Sequence, residues 1–391
     1  MSKLVLLGYD YPPNDGGISR LSASLVEGLA REGQSVEVLT LHNDDRVGPA
    51  RPQVPTTPVP RSGWRRDLAT LRFILRQPRD AALVAAVWNP EGTLAWLAGR
   101  SRQLWVMAHG NEVMPYPPGL RFTFKRWLRR RMLASARVVV CNSRYTERLV
   151  NAASPQARTV AIPLGVDAQR FQSPLGQAEA RARFGLPQQE RVVLSVSRLN
   201  AHKGHDTVLR ALAALPIAER NRVCYVIAGR GKHAANLQAF AAELGVDEHV
   251  RWLGYVREDE LPMLYAAADL FALCSREDQR ERGVEGFGLA FLEAQAAGVP
   301  VLGTRAGGIP DAVEDGRGGW LVAQDDVAAV RDHLARLVAA PALFAAQGLA
   351  ARKRAETECG WGIYVDRFRA VLGQRPAVAG GPQENRQESR Q

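Results

Sequence analysis

Nowhere in these 391 residues does an apolar run approach the roughly 18 residues that a membrane-spanning helix requires. Cysteine is scarce. Cys141, Cys224, Cys274 and Cys359 lie far apart with no C-x-x-C pair, which excludes a disulfide framework and a zinc ribbon and fits a reducing compartment. The chain runs straight into the strand-like Leu4–Leu7 without the charged, apolar and small-residue succession of a signal peptide, so a cytoplasmic protein is expected. No solenoid repeat and no nucleic-acid recognition motif is present. The dinucleotide fingerprint G-x-G-x-x-G is missing too. The first loop, Tyr11-Pro-Pro-Asn-Asp-Gly16-Gly17-Ile-Ser-Arg20, has a different glycine spacing, and no clear acidic residue ends the second strand. Acidic clusters such as Glu258-Asp-Glu260 read as helix-start or surface charge, so no metal site is expected.

What is present is a globular composition, 46% apolar with a mean hydropathy of −0.19, in a chain long enough for two domains. The net charge of +11 is unevenly spread. Residues 1–186 hold 26 Lys/Arg against 14 Asp/Glu, a balance of +12, whereas the remainder hold 25 against 26. The first half therefore faces something anionic.

Strand and helix patterns alternate along the chain. Apolar runs at Leu4–Gly8, Val36–Leu41, Leu83–Val87, Leu104–Ala108 and Val138–Cys141 form a first series, interrupted by a polar, Pro-rich stretch from Asn43 to Arg61 that reads as a long exposed loop. After a linker around Asp167–Glu190 a second series follows at Val192–Val196, Val223–Ala228, Val250–Leu253, Leu270–Cys274 and Val299–Gly303, with helical patterns between, including Phe287–Ala297. Such alternation predicts an α/β chain with two Rossmann-like halves, whose ligands bind beyond the carboxyl ends of the strands.

Four segments carry candidate chemistry. Glu285-Gly286-Phe287-Gly288-Leu289 leads into a helix containing Glu293. Its glycines admit a ligand close to backbone, and the helix start offers free N–H groups to a pyrophosphate. Glu293 is placed to accept hydrogen bonds from two vicinal hydroxyls such as those of a ribose, and Glu285 sits where a sugar ring could lie. Arg198 and Lys203 follow a strand end, where two fixed cations can neutralise a diphosphate leaving group in place of a metal. Gly16-Gly17 form a glycine loop on a helix start. His109-Gly110-Asn111-Glu112 follows another strand end, where a catalytic and a structural histidine are equally good readings. Taken alone, each segment also has a bland reading as surface charge or a turn.

In combination these segments resemble family-4 glycosyltransferases. The likeness runs through Gly16-Gly17, His109-Gly110, Asn142-Ser143, Ile162-Pro-Leu-Gly-Val-Asp167, Arg198 to Gly204, Gly229-Arg-Gly231, Glu285 to Glu293, Gly307-Gly308-Ile-Pro310 and Gly318-Gly-Trp-Leu-Val322. It implies the GT-B fold, two facing Rossmann-like domains with a central cleft. Residues 1–170 would form an acceptor-binding domain and 187–357 a nucleotide-sugar-binding domain, with helix 361–373 packing back on the first and 376–391 a disordered tail. It also implies that Arg198 and Lys203 hold the donor diphosphate with the backbone of Gly17, Gly288 and Leu289. Glu293 would bind the ribose, the backbone near Val256 the base, and Glu285, Gly286 and Phe287 the sugar, with His109 at its hydroxymethyl side. Glu285, Arg198, Lys203 and His109 would be the catalytic set. Arg20, Asn111 and Glu112 are acceptor-side candidates. A nucleoside-diphosphate sugar is the expected co-substrate, with no cofactor and no metal. The charged stretch Ser275–Val284 resembles that of bacterial phosphatidylinositol mannosyltransferases and favours GDP-mannose over a UDP-hexose. Leu164-Gly165 stands where the family has Asn-Gly.

Leu120–Arg137 contains seven basic residues and no acidic one, interleaved with Phe122, Phe124, Trp127, Leu128 and Leu133. That pattern suits an anionic membrane surface at the inner face of the cytoplasmic membrane, or a helix packed on its own domain with a solvated basic face. The expected function is hexosyl transfer to a lipid-linked or cell-envelope glycan acceptor. The alternative is a GT-B sugar-nucleotide epimerase.

Overall fold

The computed structural model describes residues 3–14, 16–42, 54–278 and 283–373. Seven parallel strands form the first sheet: β1 (Leu4–Leu7), β2 (Val36–Leu41), β3 (Thr56–Val59), β4 (Ala82–Ala85), β5 (Leu104–Ala108), β6 (Val138–Cys141) and β7 (Thr159–Ala161). Their order is β3-β2-β1-β4-β5-β6-β7. The connecting helices are α1 (Gly17–Arg31), α2 (Gly63–Arg76), α3 (Thr93–Leu97), α4 (Leu120–Ser135) and α5 (Arg144–Ala153).

The second sheet holds six parallel strands: β8 (Arg191–Val196), β9 (Val223–Ala228), β10 (Val250–Gly254), β11 (Leu270–Leu273), β12 (Val301–Thr304) and β13 (Gly319–Val322), ordered β10-β9-β8-β11-β12-β13. Its helices are α6 (Gln177–Arg183), α7 (His205–Ala213), α8 (Ile217–Arg220), α9 (Ala234–Glu243), α10 (Leu261–Ala266), α11 (Leu289–Ala296), α12 (Ile309–Ala312), α13 (Val327–Ala339) and α14 (Pro341–Glu358). The last helix, α15 (Trp361–Gly373), leaves this half and packs on α1.

β1 and β4 to β6 in the first sheet, and β8, β9, β11 and β12 in the second, are nearly continuous apolar runs, as strands covered by helices on both faces must be. Each sheet reverses its strand order once, between β1 and β4 and between β8 and β11, and each reversal opens a crevice at the strand ends. The two connections between the halves run side by side. Val166 bridges Gly360 in parallel, and Val166 N–H donates to Cys359 O at 2.7 Å. Gly165 has to be glycine there, because a Cβ would lie 2.8 Å from the Trp361 backbone.

The expected loop from Asn43 to Arg61 is corrected in its second part: Thr56–Val59 pairs with β2 as an edge strand, where Pro58 is tolerated. Its residues 43–53, residues 279–282 of the charged stretch and the 376–391 tail lie outside the described residues. The helix expected over Phe287–Ala297 begins at Leu289. Among the described residues, no single helix is long and apolar enough to cross a membrane.

Glu91 follows β4 and is fully buried. One carboxyl oxygen accepts from Tyr9 N–H at 3.3 Å, the other has no partner among the described residues, and burial raises the pKa to about 7. The native state therefore holds this proton at pH values where the unfolded chain has released it, so the group's contribution falls as pH rises from about 4.5 through 7. Glu91→Gln should raise the melting temperature over the native protein, with the difference widening between pH 5 and pH 8. A constant difference across that range would refute it.

Candidate active site

The cleft is built from loops at the carboxyl ends of both sheets. Arg198 and Lys203 follow β8, the loop to Glu285 follows β11, His109 follows β5, and Gly16-Gly17 follow β1. The halves meet backbone to backbone. A Cβ on Gly286 would lie 1.8 Å from the His109 carbonyl oxygen, so only glycine lets the two loops approach this closely. Ser143 reinforces the contact: its hydroxyl donates to Gly286 O at 2.7 Å while accepting from Thr146 N at 3.1 Å to cap α5.

Lys203 Nζ lies 2.6 Å from Glu285 Oε2, so the diphosphate candidate and the sugar candidate form one ion pair. Arg198 is exposed, and no ion pair or hydrogen bond engages its side chain among the described residues. His109 donates Nε2–H to Ala86 O at 2.7 Å, and its backbone N–H donates to Glu112 Oε1 at 2.6 Å. Gly288 begins α11 at φ +100°, and Leu289 brings its side chain to 3.6 Å from a methyl built on Gly17. Val256 lies in the loop between β10 and α10, partly buried against the core.

Glu293 is 5% exposed. One oxygen accepts from Arg20 Nη1 at 2.5 Å and the other from the buried Tyr265 hydroxyl at 2.9 Å. A cavity of about 920 Å³ opens beside this pair, between α1, residues 165–172 and α15.

Several candidates make contacts that sequence order does not show. Arg20, expected to meet the acceptor, is bonded to Glu293 across the cleft, because the first turn of α1 faces α11. Asn111 Oδ1 accepts from Val284 N–H at 3.0 Å, which anchors the loop leading to Glu285. Glu112 holds the backbone of His109. Both polar side chains therefore brace loops at the mouth of the cleft. Phe287 is 2% exposed and its side chain belongs to the core, so only its backbone can meet a sugar.

Two residues were missed. Tyr265 is adjacent to Glu293 only in three dimensions. Asp10 is half-buried at the end of β1, where burial raises its pKa and the charges of His109 and Arg198 oppose the rise. Its place just beyond an apolar strand was the available signal. Among the described residues, no three His, Cys, Asp or Glu side chains gather as a ligand set.

Residues 15–170 match the sequence family described as Glycosyltransferase Family 4, and residues 176–354 match Glycosyl transferases group 1. A GDP-mannose-dependent alpha-(1-6)-phosphatidylinositol monomannoside mannosyltransferase of Mycolicibacterium smegmatis is 33% identical over 95% of this chain and 98% of its own. This chain is a family-4 glycosyltransferase. Sucrose-phosphate synthase from Thermosynechococcus elongatus shares the fold of this glycosyltransferase, with a TM-score of 0.76 at 22% identity over 95% of this chain and 98% of that one. So does HepE from Anabaena in complex with UDP and glucose, with a TM-score of 0.76 at 19% identity over 95% and 99%. The chain therefore has the GT-B architecture and belongs to the transferases, and the epimerase alternative is set aside.

The glycosyltransferase should not tolerate Gly286→Ala. The methyl would push the loop off His109 O, and turnover should fall at least about 100-fold while the melting temperature changes by only a few degrees. Activity within threefold of the native enzyme would refute the close-contact requirement.

Proposed function

We propose that this enzyme transfers mannose from GDP-mannose, with retention of configuration and without a metal, to a phosphatidylinositol-type glycolipid at a membrane surface. The full-length likeness to GDP-mannose-dependent mannosyltransferases whose names specify a phosphatidylinositol mannoside carries this reading. The proposed donor path runs from the base at Val256, past the ribose at Glu293 and the diphosphate at Arg198, Lys203 and the start of α11, to the sugar between Glu285 and His109. The acceptor hydroxyl attacks C1 from the face the phosphate leaves, the C1–O bond to phosphate breaks, and the acceptor proton passes to the departing phosphate oxygen. Arg198 and Lys203 stabilise the charge that develops on the diphosphate. Lys203 and Glu285 screen each other at 2.6 Å, so a diphosphate that draws Lys203 away frees the Glu285 carboxylate for the sugar.

The shape of α4 supports the lipid surface. Leu120 (93% exposed), Phe124 (65%) and Trp127 (49%) stand at i, i+4 and i+7 on one face, with the Phe124 and Trp127 rings stacked at 5.8 Å. Arg121, Lys125, Arg130 and Arg131 flank them in solvent. The other end of the helix is structural: Met132 and Leu133 are in the core, and buried Arg129 donates to Met114 O at 2.9 Å. Helix α3 touches both α2 and α4, and exposed Leu97 on α3 with Trp64 and Leu75 on α2 extend the apolar side chains available to a bilayer.

With GDP-mannose and vesicles containing phosphatidylinositol mannoside, GDP release should match mannolipid formation, persist in EDTA, and fail with UDP-glucose. Transfer from UDP-glucose alone would overturn the donor assignment. Lys203→Met should lower kcat by about 100-fold or more, and Glu285→Gln should lower kcat while leaving GDP affinity within threefold. Sedimentation with anionic vesicles should be lost when Phe124 and Trp127 become Ser and weakened by salt. Salt-insensitive or unchanged binding would refute the surface.

A further inference from the structure

Arg20 and Glu293 are 273 residues apart and belong to opposite halves, yet their 2.5 Å pair is among the shortest polar contacts across the cleft. The Glu293 side chain is only 6% exposed, with each oxygen already engaged, one by Arg20 and one by Tyr265. Each oxygen keeps a second lone pair, but so little of the carboxylate is open that two vicinal ribose hydroxyls can reach it together only when one of the two partners leaves. Tyr265 is fully enclosed, packed at 5.8–5.9 Å ring separations against Phe171 and Phe271, and has nowhere to go. Arg20 does. Its side chain is 26% exposed, its Nε is buried without an acceptor, and Glu258 Oε1 already lies 3.8 Å from Nη1. Glu258 sits two residues past Val256 and is held by Arg170 Nη2 at 2.5 Å, so a second anion is kept in position beside the first. Arg20 also lines the lip of the 920 Å³ cavity, which leaves room for the guanidinium to swing.

We propose that Arg20 is a donor-site residue: a displaceable cation that occupies the ribose carboxylate and transfers to Glu258 when a ribonucleotide binds. The proposal rests on the reading that Glu293 binds the ribose. Entry of the donor then breaks a bond between the halves, and the cost of breaking it is lowered by the waiting partner. Tyr265 keeps its hydrogen bond throughout and aims Glu293 at the incoming hydroxyls. Arg20 keeps a carboxylate partner throughout, and the ribose hydroxyls with Tyr265 replace at Glu293 the hydrogen bonds that Arg20 gives up.

The test is calorimetric titration of GDP and of 2′,3′-dideoxy-GDP into native enzyme and Arg20→Met. Removing the competitor should tighten GDP binding about threefold to fivefold and leave the dideoxy analogue within a factor of two. Glu258→Gln, which removes the alternative partner, should weaken GDP instead, and should have no effect in an Arg20→Met background. Weaker or unchanged GDP binding by Arg20→Met, or an equal gain with both ligands, would overturn the proposal. Arg20→Gln supplies the same comparison if the methionine variant does not fold. Glu293→Gln checks the underlying reading separately: it should weaken GDP and spare the dideoxy analogue, and equal effects on both would show that Glu293 does not bind the ribose, whatever the Arg20 variants do.

Discussion

The contact between Gly286 and the His109 carbonyl governs the rest of the cleft. It is made by backbone alone, at a distance that leaves no space for a side chain. The two loops it joins carry Glu285 on one side and the His109 ring on the other, so their separation is set by main-chain geometry. Supporting bonds surround it. Gly308 N–H donates to Glu285 O at 2.8 Å from behind, Ser143 holds Gly286 O, and Asn111 holds Val284 N–H. A sugar placed there meets groups whose positions are fixed before it arrives, and fixed dipoles are worth more than ones that must reorganise.

Around that contact the site carries its own counterions. Lys203 is matched by Glu285, and Arg20 by Glu293, each within 2.6 Å. A protein that must bind a highly charged diphosphate cannot leave several like charges exposed to one another without loss of stability. Internal pairing solves this, and charged ligand groups then bind by exchanging partners. Arg198, exposed and with no side-chain ion pair or hydrogen bond among the described residues, is the cation most directly available to phosphate.

Much of this was legible in the sequence because its cause is local. Apolar runs of strand length, glycines at loop apices and the Glu285 to Glu293 spacing depend on neighbours along the chain. What escaped depends on contacts far apart in sequence. Thr56–Val59 has too little hydrophobicity to announce a strand and exists because β2 offers an edge. The family resemblance implied a sugar contact for Phe287, whose ring lies in the core. Arg20 looked like an acceptor residue because α1 belongs to the first half. Only the facing arrangement of the halves reveals Glu293 opposite it. Arg129, one of seven basic residues in Leu120–Arg137, could not be distinguished from its solvated neighbours until its bond to Met114 O was seen.

The chain crosses between the halves twice, side by side, at Val166 and Gly360. Two strands of chain laid side by side resist twisting and sideways shear, yet bend about their common line. Any displacement of the second half that broke the Gly286–His109 contact would therefore pivot near this line, like a door on one pin. Displacement on such an arc grows with distance from the pin. The Arg144–Asp311 and Tyr145–Glu277 contacts link the two halves away from the pin and would sense the start of any swing. If the first half rests against a lipid surface, a pivot at this line would let the second half move through solution while the first stays where it is.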